Sequence, residues 1–178
     1  KVPKGLDDSQ LGFSPDSRRF AFIAKRGGSE VVIVDGSEQR PWQDVDYGPV
    51  FSRDGKRIAY VGTDADYRRY VVLDAAPVAE HDNILGPLTF SQDGKRLHYI
   101  ASSGGSYFAV IGDKQGPKFD SVKNLNFSAD GARVAYVARK GREEATKKEF
   151  VVVDGVVGRE YDSIVSPPVF SRSGKSVL

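Results

Sequence analysis

Short apolar runs separated by polar turns recur along the chain in groups of four. The first run of each group ends at a repeated Phe-Ser and turns at an Asp-Gly pair, which predicts a tight hairpin. A second strand follows as Phe20-Ala-Phe-Ile-Ala, Ile58-Ala-Tyr-Val-Gly, Leu97-His-Tyr-Ile-Ala and Val134-Ala-Tyr-Val-Ala, rich in aromatic and β-branched residues. Its second position is alanine in three cases and His98 in the fourth, which predicts a local repacking there. The third strand reads Val31-Val-Ile-Val-Asp, Tyr70-Val-Val-Leu-Asp, Phe108-Ala-Val-Ile-Gly and Phe150-Val-Val-Val-Asp, nearly continuous apolar runs expected of strands covered on both faces. A shorter, more polar fourth strand is expected at Trp42-Gln-Asp-Val, His81-Asp-Asn-Ile, Phe119-Asp-Ser-Val and Tyr161-Asp-Ser-Ile.

The groups are copies of one unit. Phe13-Ser-Pro-Asp-Ser-Arg-Arg, Phe51-Ser-Arg-Asp-Gly-Lys-Arg, Phe90-Ser-Gln-Asp-Gly-Lys-Arg, Phe127-Ser-Ala-Asp-Gly-Ala-Arg and Phe170-Ser-Arg-Ser-Gly-Lys-Ser start 38, 39, 37 and 43 residues apart. A four-stranded unit of this period cannot bury both faces alone, and radial stacking is the usual solution. The expected fold is therefore all-β, a propeller of four-stranded antiparallel blades over 10–46, 48–85, 87–123 and 125–165, with partial blade strands at 1–9 and 167–178. A β-sandwich also uses short strands and frequent turns, but would not repeat the same four-strand pattern at nearly constant spacing.

The repeated Phe-Ser-x-Asp-Gly-Lys-Arg followed by an apolar strand resembles the TolB-type, WD-repeat-like propeller repeats of bacterial proteins, over almost the whole chain. Phe replaces the frequent Trp, Ser17 replaces glycine in the first turn, and Ser173 replaces aspartate in the last. The resemblance implies one of two roles. One is a non-catalytic scaffold for a protein or peptide partner; the other is the gating or substrate-selecting propeller of a larger prolyl-oligopeptidase-like hydrolase. It also implies a periplasmic or extracytoplasmic location.

Composition narrows the chemistry. Lys plus Arg number 26 against 24 Asp plus Glu, so no polyanionic partner such as nucleic acid is demanded. The balance of 39% hydrophobic and 28% charged residues suits a folded domain and contains no membrane-inserting segment. Cysteine is absent, which removes disulfides, thiolate metal sites and cysteine nucleophiles. The chain opens at Lys1 and contains no methionine, so it reads as part of a longer protein. Leu6-Asp-Asp-Ser resembles an outer strand, and the chain is expected to continue past Leu178, leaving open self-association through an incomplete terminal blade.

No catalytic or metal-binding residue, and no cofactor, is predicted. His81 aligns with Trp42, Phe119 and Tyr161 and reads as rim packing, and His98 as core. Ser102-Ser-Gly-Gly-Ser106 occupies the same loop as Lys25-Arg-Gly-Gly-Ser29 and reads as a hairpin. Asp44 with Asp46 and Asp64 with Asp66 offer too few oxygens for calcium. The Asn126-Phe-Ser128 sequon overlaps the repeat's own core residues.

Arg18, Arg19, Arg53, Lys56, Arg57, Lys95, Arg96, Arg133, Arg172 and Lys175 flank the first hairpins and read as solvated tips, with a steering rim as the alternative. The longest insertion, 139–148, lies between second and third strands; its Arg139, Lys140, Arg142, Lys147 and Lys148 are the partner-contact candidates. A third class of function, binding of a small ligand or glycan, would need convergent polar groups in a pocket.

Overall fold

The structure is a computed structural model that describes residues 11–143 and 145–178. The first blade comprises β1 (Leu11–Phe13), β2 (Phe20–Arg26), β3 (Ser29–Val34) and β4 (Ser37–Trp42); the second β5 (Asp44–Phe51), β6 (Ile58–Thr63), β7 (Arg69–Leu73) and β8 (Ala76–His81). The third comprises β9 (Asn83–Phe90), β10 (Leu97–Ser103), β11 (Ser106–Ile111) and β12 (Lys114–Gln115); the fourth β13 (Ser121–Phe127), β14 (Val134–Lys140), β15 (Lys148–Val153) and β16 (Val156–Tyr161). Each blade is a four-stranded sheet in chain order. The chain divides into two compact units, one ending at Phe90 and the other beginning at Ser91. The expected outer strand at Leu6-Asp-Asp-Ser lies outside the described residues. After β16 a further hairpin begins, with Phe170 bridged to Val177 and Val169 exchanging backbone bonds with Leu178.

The repeated turn is built from its own side chains. In the fourth blade the Ser128 hydroxyl donates to Asp130 Oδ1 at 2.6 Å and accepts from the Arg133 amide at 3.0 Å, while Asp130 Oδ1 also accepts from the Ala132 amide at 3.0 Å. The same bonds recur around Ser14, Ser52 and Ser91. Each of these four serines is buried. The turn needs a left-handed residue, which explains Gly55, Gly94, Gly131 and Gly174 at φ between +68° and +71°. Ser17 takes this conformation at φ +57° without glycine's freedom.

The fourth strand lies earlier than the sequence pattern suggests. Trp42, His81 and Tyr161 end the outer strands, facing Glu30, Arg69 and Glu149 in register. Asp44 and Val45, expected in an outer strand, instead open β5, opposite Thr63 and Gly62. Only Gln43 separates the strands, and its amide bonds to Thr63 O at 2.8 Å, so the chain passes from blade to blade without a turn signature.

In the unit ending at Phe90, Ala21, Ile23, Val32, Val34, Trp42, Ile58, Tyr60 and Val72 form one buried cluster. In the other, Ala109, Phe119, Val122, Tyr136, Ala138 and Val152 form a second. Fully burying a valine of this kind contributes about 1.5–3 kcal/mol. Small residues set the spacing: a Cβ on Gly62 would lie 2.3 Å from the Trp42 ring, so the indole lies flat on backbone. His98 fills its alanine position with a ring stacked on Phe127 at 4.4 Å, the repacking its sequence position predicts.

Candidate functional site

The long loop of the fourth blade leaves β14 at Lys140 and enters β15 at Lys148, residues that face each other in register. Like charges so placed repel. Each finds a local counterpart: Lys148 Nζ donates to Asp162 Oδ1 at 2.6 Å, and Lys140 Nζ lies 6.0 Å from the Phe119 ring centroid. The Asp162 carboxylate holds the Lys148 amine above its ordinary pKa, and the amine in turn holds Asp162 low.

Asp120 organises the start of the loop. Its Oδ2 accepts from the Gly141 amide at 3.0 Å and its Oδ1 from Arg142 Nε at 3.2 Å. The Arg142 guanidinium, then the Gly141 amide, keep its carboxyl below the usual aspartate range. Arg142 Nη2 also donates to Gly105 O at 3.3 Å, joining this loop to the β10–β11 turn of the third blade. Further along, the Thr146 and Lys147 amides bond to Glu143 O at 3.1 and 2.9 Å. Of the five predicted contact residues, Lys140, Arg142 and Lys147 thus share this ledge. Arg139, Lys140 and Lys148 belong to the flanking strands, Lys140 as the last residue of β14, and Arg139 Nε is buried without a hydrogen-bond partner. Asp120, Phe119 and Gly105 complete the ledge but were not singled out in the sequence; the recurring aromatic-Asp pair marks the first two only as rim positions.

The other candidates have structural duties. Asp46 accepts from Thr63 Oγ1 at 2.6 Å and Arg69 Nε at 3.2 Å; Asp64 accepts two backbone amides and the Tyr70 hydroxyl. Asn126 donates to Pro168 O at 3.0 Å and accepts from the Phe127 amide. Ser102 is buried in β10. His98 is 1% exposed, and burial, followed by the Arg96 charge, pushes its pKa down to about 4. Burial also lowers His81. Among the described residues no three His, Asp or Glu side chains converge on a metal-sized site.

The basic hairpin tips are of two kinds. Arg19 and Arg133 reach across to the next turn, donating to Gly55 O and Lys56 O, and to Gly174 O and Lys175 O, at 2.9–3.1 Å. Both also lie over a ring of that turn, Phe51 and Phe170. Their Nε atoms, and that of Arg57, bond to Asp35, Asp154 and Asp74. Arg18, by contrast, is 85% exposed. Part of the basic rim is therefore internal fastening, and only the remainder offers charge to solvent.

No family model matches the chain, and no characterised protein matches it in sequence. Among solved structures it is similar to TolB from Acinetobacter baumannii, at 20% identity and a TM-score of 0.51, over 94% of this chain and 47% of that one. The β-propeller domain of the Trilobed protease from Pyrococcus furiosus aligns at 12% identity and a TM-score of 0.57, over 89% of this chain and 57% of that one. An acylaminoacyl peptidase aligns at 14% and 0.52, over 96% of this chain and 34% of that one. The chain thus spans about half or less of two of these structures and 57% of the third. At such identities the likeness is one of fold: four-stranded antiparallel blades in series give this chain the all-β propeller fold that TolB shares.

Proposed function

We propose that the chain is a non-catalytic recognition propeller that holds an acidic segment of a protein or peptide partner on its second-to-third-strand loops. The observation that carries this is the Arg142 bridge, which fastens the insertion of the fourth blade to Asp120 and to Gly105 of the third. A loop anchored at its base presents Lys140, Lys147 and neighbouring cations with less ordering cost on binding than a free one. Their charge would steer an acidic partner and add to specificity more than to raw affinity.

The test uses the full-length protein with a photo-crosslinking residue at Lys147, on the loop, or at Ala129, at the opposite end of the same blade. A partner captured from Lys147 and not from Ala129, whose purified affinity falls at least about tenfold in Arg142→Glu, supports the reading. Equal capture from both positions, or unchanged affinity, overturns it.

The fold likeness to peptidase propeller domains supports a second reading, a gating propeller attached to a hydrolase. Its mark is a Gly-x-Ser-x-Gly elbow in the full-length chain, with peptidase activity that the elbow serine's replacement abolishes.

A further inference from the structure

Three blades close their third strand on aspartate, and each aspartate does the same work. Oδ1 of Asp35, Asp74 and Asp154 accepts from the backbone amide of Phe20, Ile58 and Val134 at 3.0, 3.0 and 2.9 Å. Oδ2 accepts from Nε of Arg19, Arg57 and Arg133 at 2.8, 2.8 and 2.7 Å. In the third blade this position is Gly112, at φ +67°. No carboxylate at this position therefore receives the Leu97 amide or the Arg96 guanidinium. Arg96 donates to Gly131 O and forms no ion pair among the described residues.

Arg96 also lines a cleft of about 620 Å³ within the unit that begins at Ser91, as do Ile111 and Asp113 on either side of Gly112; Ala109, Ile111, Val134 and Tyr136 form its apolar side. The corresponding cleft between the first two blades, beside Arg19 and Lys56, measures about 250 Å³. Two further departures account for the difference. Ala132 stands where the earlier turn has Lys56, and the outer strand is cut to Lys114–Gln115. After it, the Gly116 amide bonds to Ala109 O and Pro117 supplies no donor to continue the ladder. Tyr136 is 1% exposed and its hydroxyl has no partner, as is also true of Tyr60 at the same repeat position.

We propose that this cleft binds a small organic carboxylate. The carboxylate lies beside Arg96 and the Leu97 amide, where aspartate lies in the other blades, with its apolar body against Ile111, Val134 and Tyr136. A planar two-oxygen group matches one amide and one guanidinium donor, the geometry the fold displays three times over. A polyanion fits less well, because Asp113 and Asp154 line the cleft beside Arg96, Lys114 and Arg133, and Arg133 is already paired with Asp154. The volume lies within the range of small-molecule pockets.

The test is calorimetry and saturation-transfer NMR on the full chain with sodium benzoate, against benzamide as the uncharged analogue. Benzoate is expected to bind with a Kd of about 1 mM, and benzamide at least about tenfold more weakly. Gly112→Asp installs the carboxylate of the other blades. A Cβ there meets nothing closer than Arg96 Cγ at 3.5 Å, and aspartate already occupies φ +51° to +52° at Asp35, Asp74 and Asp154. That variant is expected to raise Tm and abolish benzoate binding, with Arg96→Gln as a second variant that also loses it. A phenylalanine-terminated tripeptide with a free C-terminus binding more tightly than benzoate would identify a chain end as the ligand; the reverse order would identify a free acid. Failure of benzoate to bind, equal binding of benzamide, or undiminished binding to Gly112→Asp overturns the proposal.

Discussion

His98 shows how one side chain sets a property of the whole domain. Its ring is stacked on Phe127, neither nitrogen has a hydrogen-bond partner, and its pKa lies near 4 in the folded protein. In the unfolded chain the same imidazole titrates near 6.5. Because the folded value is the lower one, protonation favours unfolding, so stability is unaffected above pH 6.5 and falls between pH 6.5 and 4. The loss approaches about 3 kcal/mol at the lower end. Urea midpoints measured across this window should decline in the wild type and decline less in His98→Ala, which carries the residue of the other three blades and keeps only the His81 contribution, lowered by burial in the same direction. The core position was legible in the sequence, since His98 aligns with Ala21, Ala59 and Ala135. Its contact with Phe127 was not, because packing between strands so far apart leaves no trace in spacing. Gly62 is a similar case: Gly62→Ala should destabilise by about 1–3 kcal/mol in chemical denaturation, since the added methyl must displace the Trp42 ring.

At the scale of the element, the turn is a closed set of bonds, and its buried serine is the centre. Ser128→Ala removes a hydroxyl that both donates and accepts, and leaves the Arg133 amide without its acceptor. Denaturant unfolding should show a loss of about 1–3 kcal/mol. The aspartates Asp16, Asp54, Asp93 and Asp130 have pKa values held low, first by these serine hydroxyls and then by backbone amides. Their stabilisation is present above the ordinary aspartate range and is lost as pH falls through the folded values, a lower window than that of His98. The last turn offers the complementary change: Ser173→Asp should raise Tm by restoring the acceptor. These turns were legible because every bond in them joins residues within five positions of one another. The outer strands were less so. Trp42, His81 and Tyr161 were matched with one another in the sequence and each ends an outer strand, yet the passage through Gln43 has neither glycine nor proline, so the start of β5 read as a continuation of the strand before it. The ledge around Arg142 was legible only as an insertion; that Asp120 anchors it depends on a partner outside the loop.

Across the whole molecule, the motif's final arginine does what its neighbours in sequence cannot: Arg19, Arg96 and Arg133 bond to carbonyls of the following turn, and Arg19 and Arg133 also to an aspartate of their own blade. In the sequence it looked like one of many solvated cations, because the carbonyls that receive it lie one full repeat away. Arg133 carries the clearest case. It bonds to Asp154 in its own blade, to Gly174 O and Lys175 O in the next turn, and stacks over Phe170. Beyond it, among the described residues, the hairpin from Val169 to Leu178 has one backbone ladder of its own, and one further hydrogen bond, from Asn126 to Pro168 O, holds the residue before it. Segments with so few buried contacts open locally, well below the cost of global unfolding. Arg133→Gln should therefore speed hydrogen exchange of the Ser171, Gly174 and Leu178 amides by about tenfold or more. The Ala135, Tyr136 and Val137 amides, on a strand enclosed by two others, should change much less. If both sets accelerate alike, the arginine supports its own blade through Asp154 rather than fastening the next one, and the blade-to-blade bonds carry little of the stability.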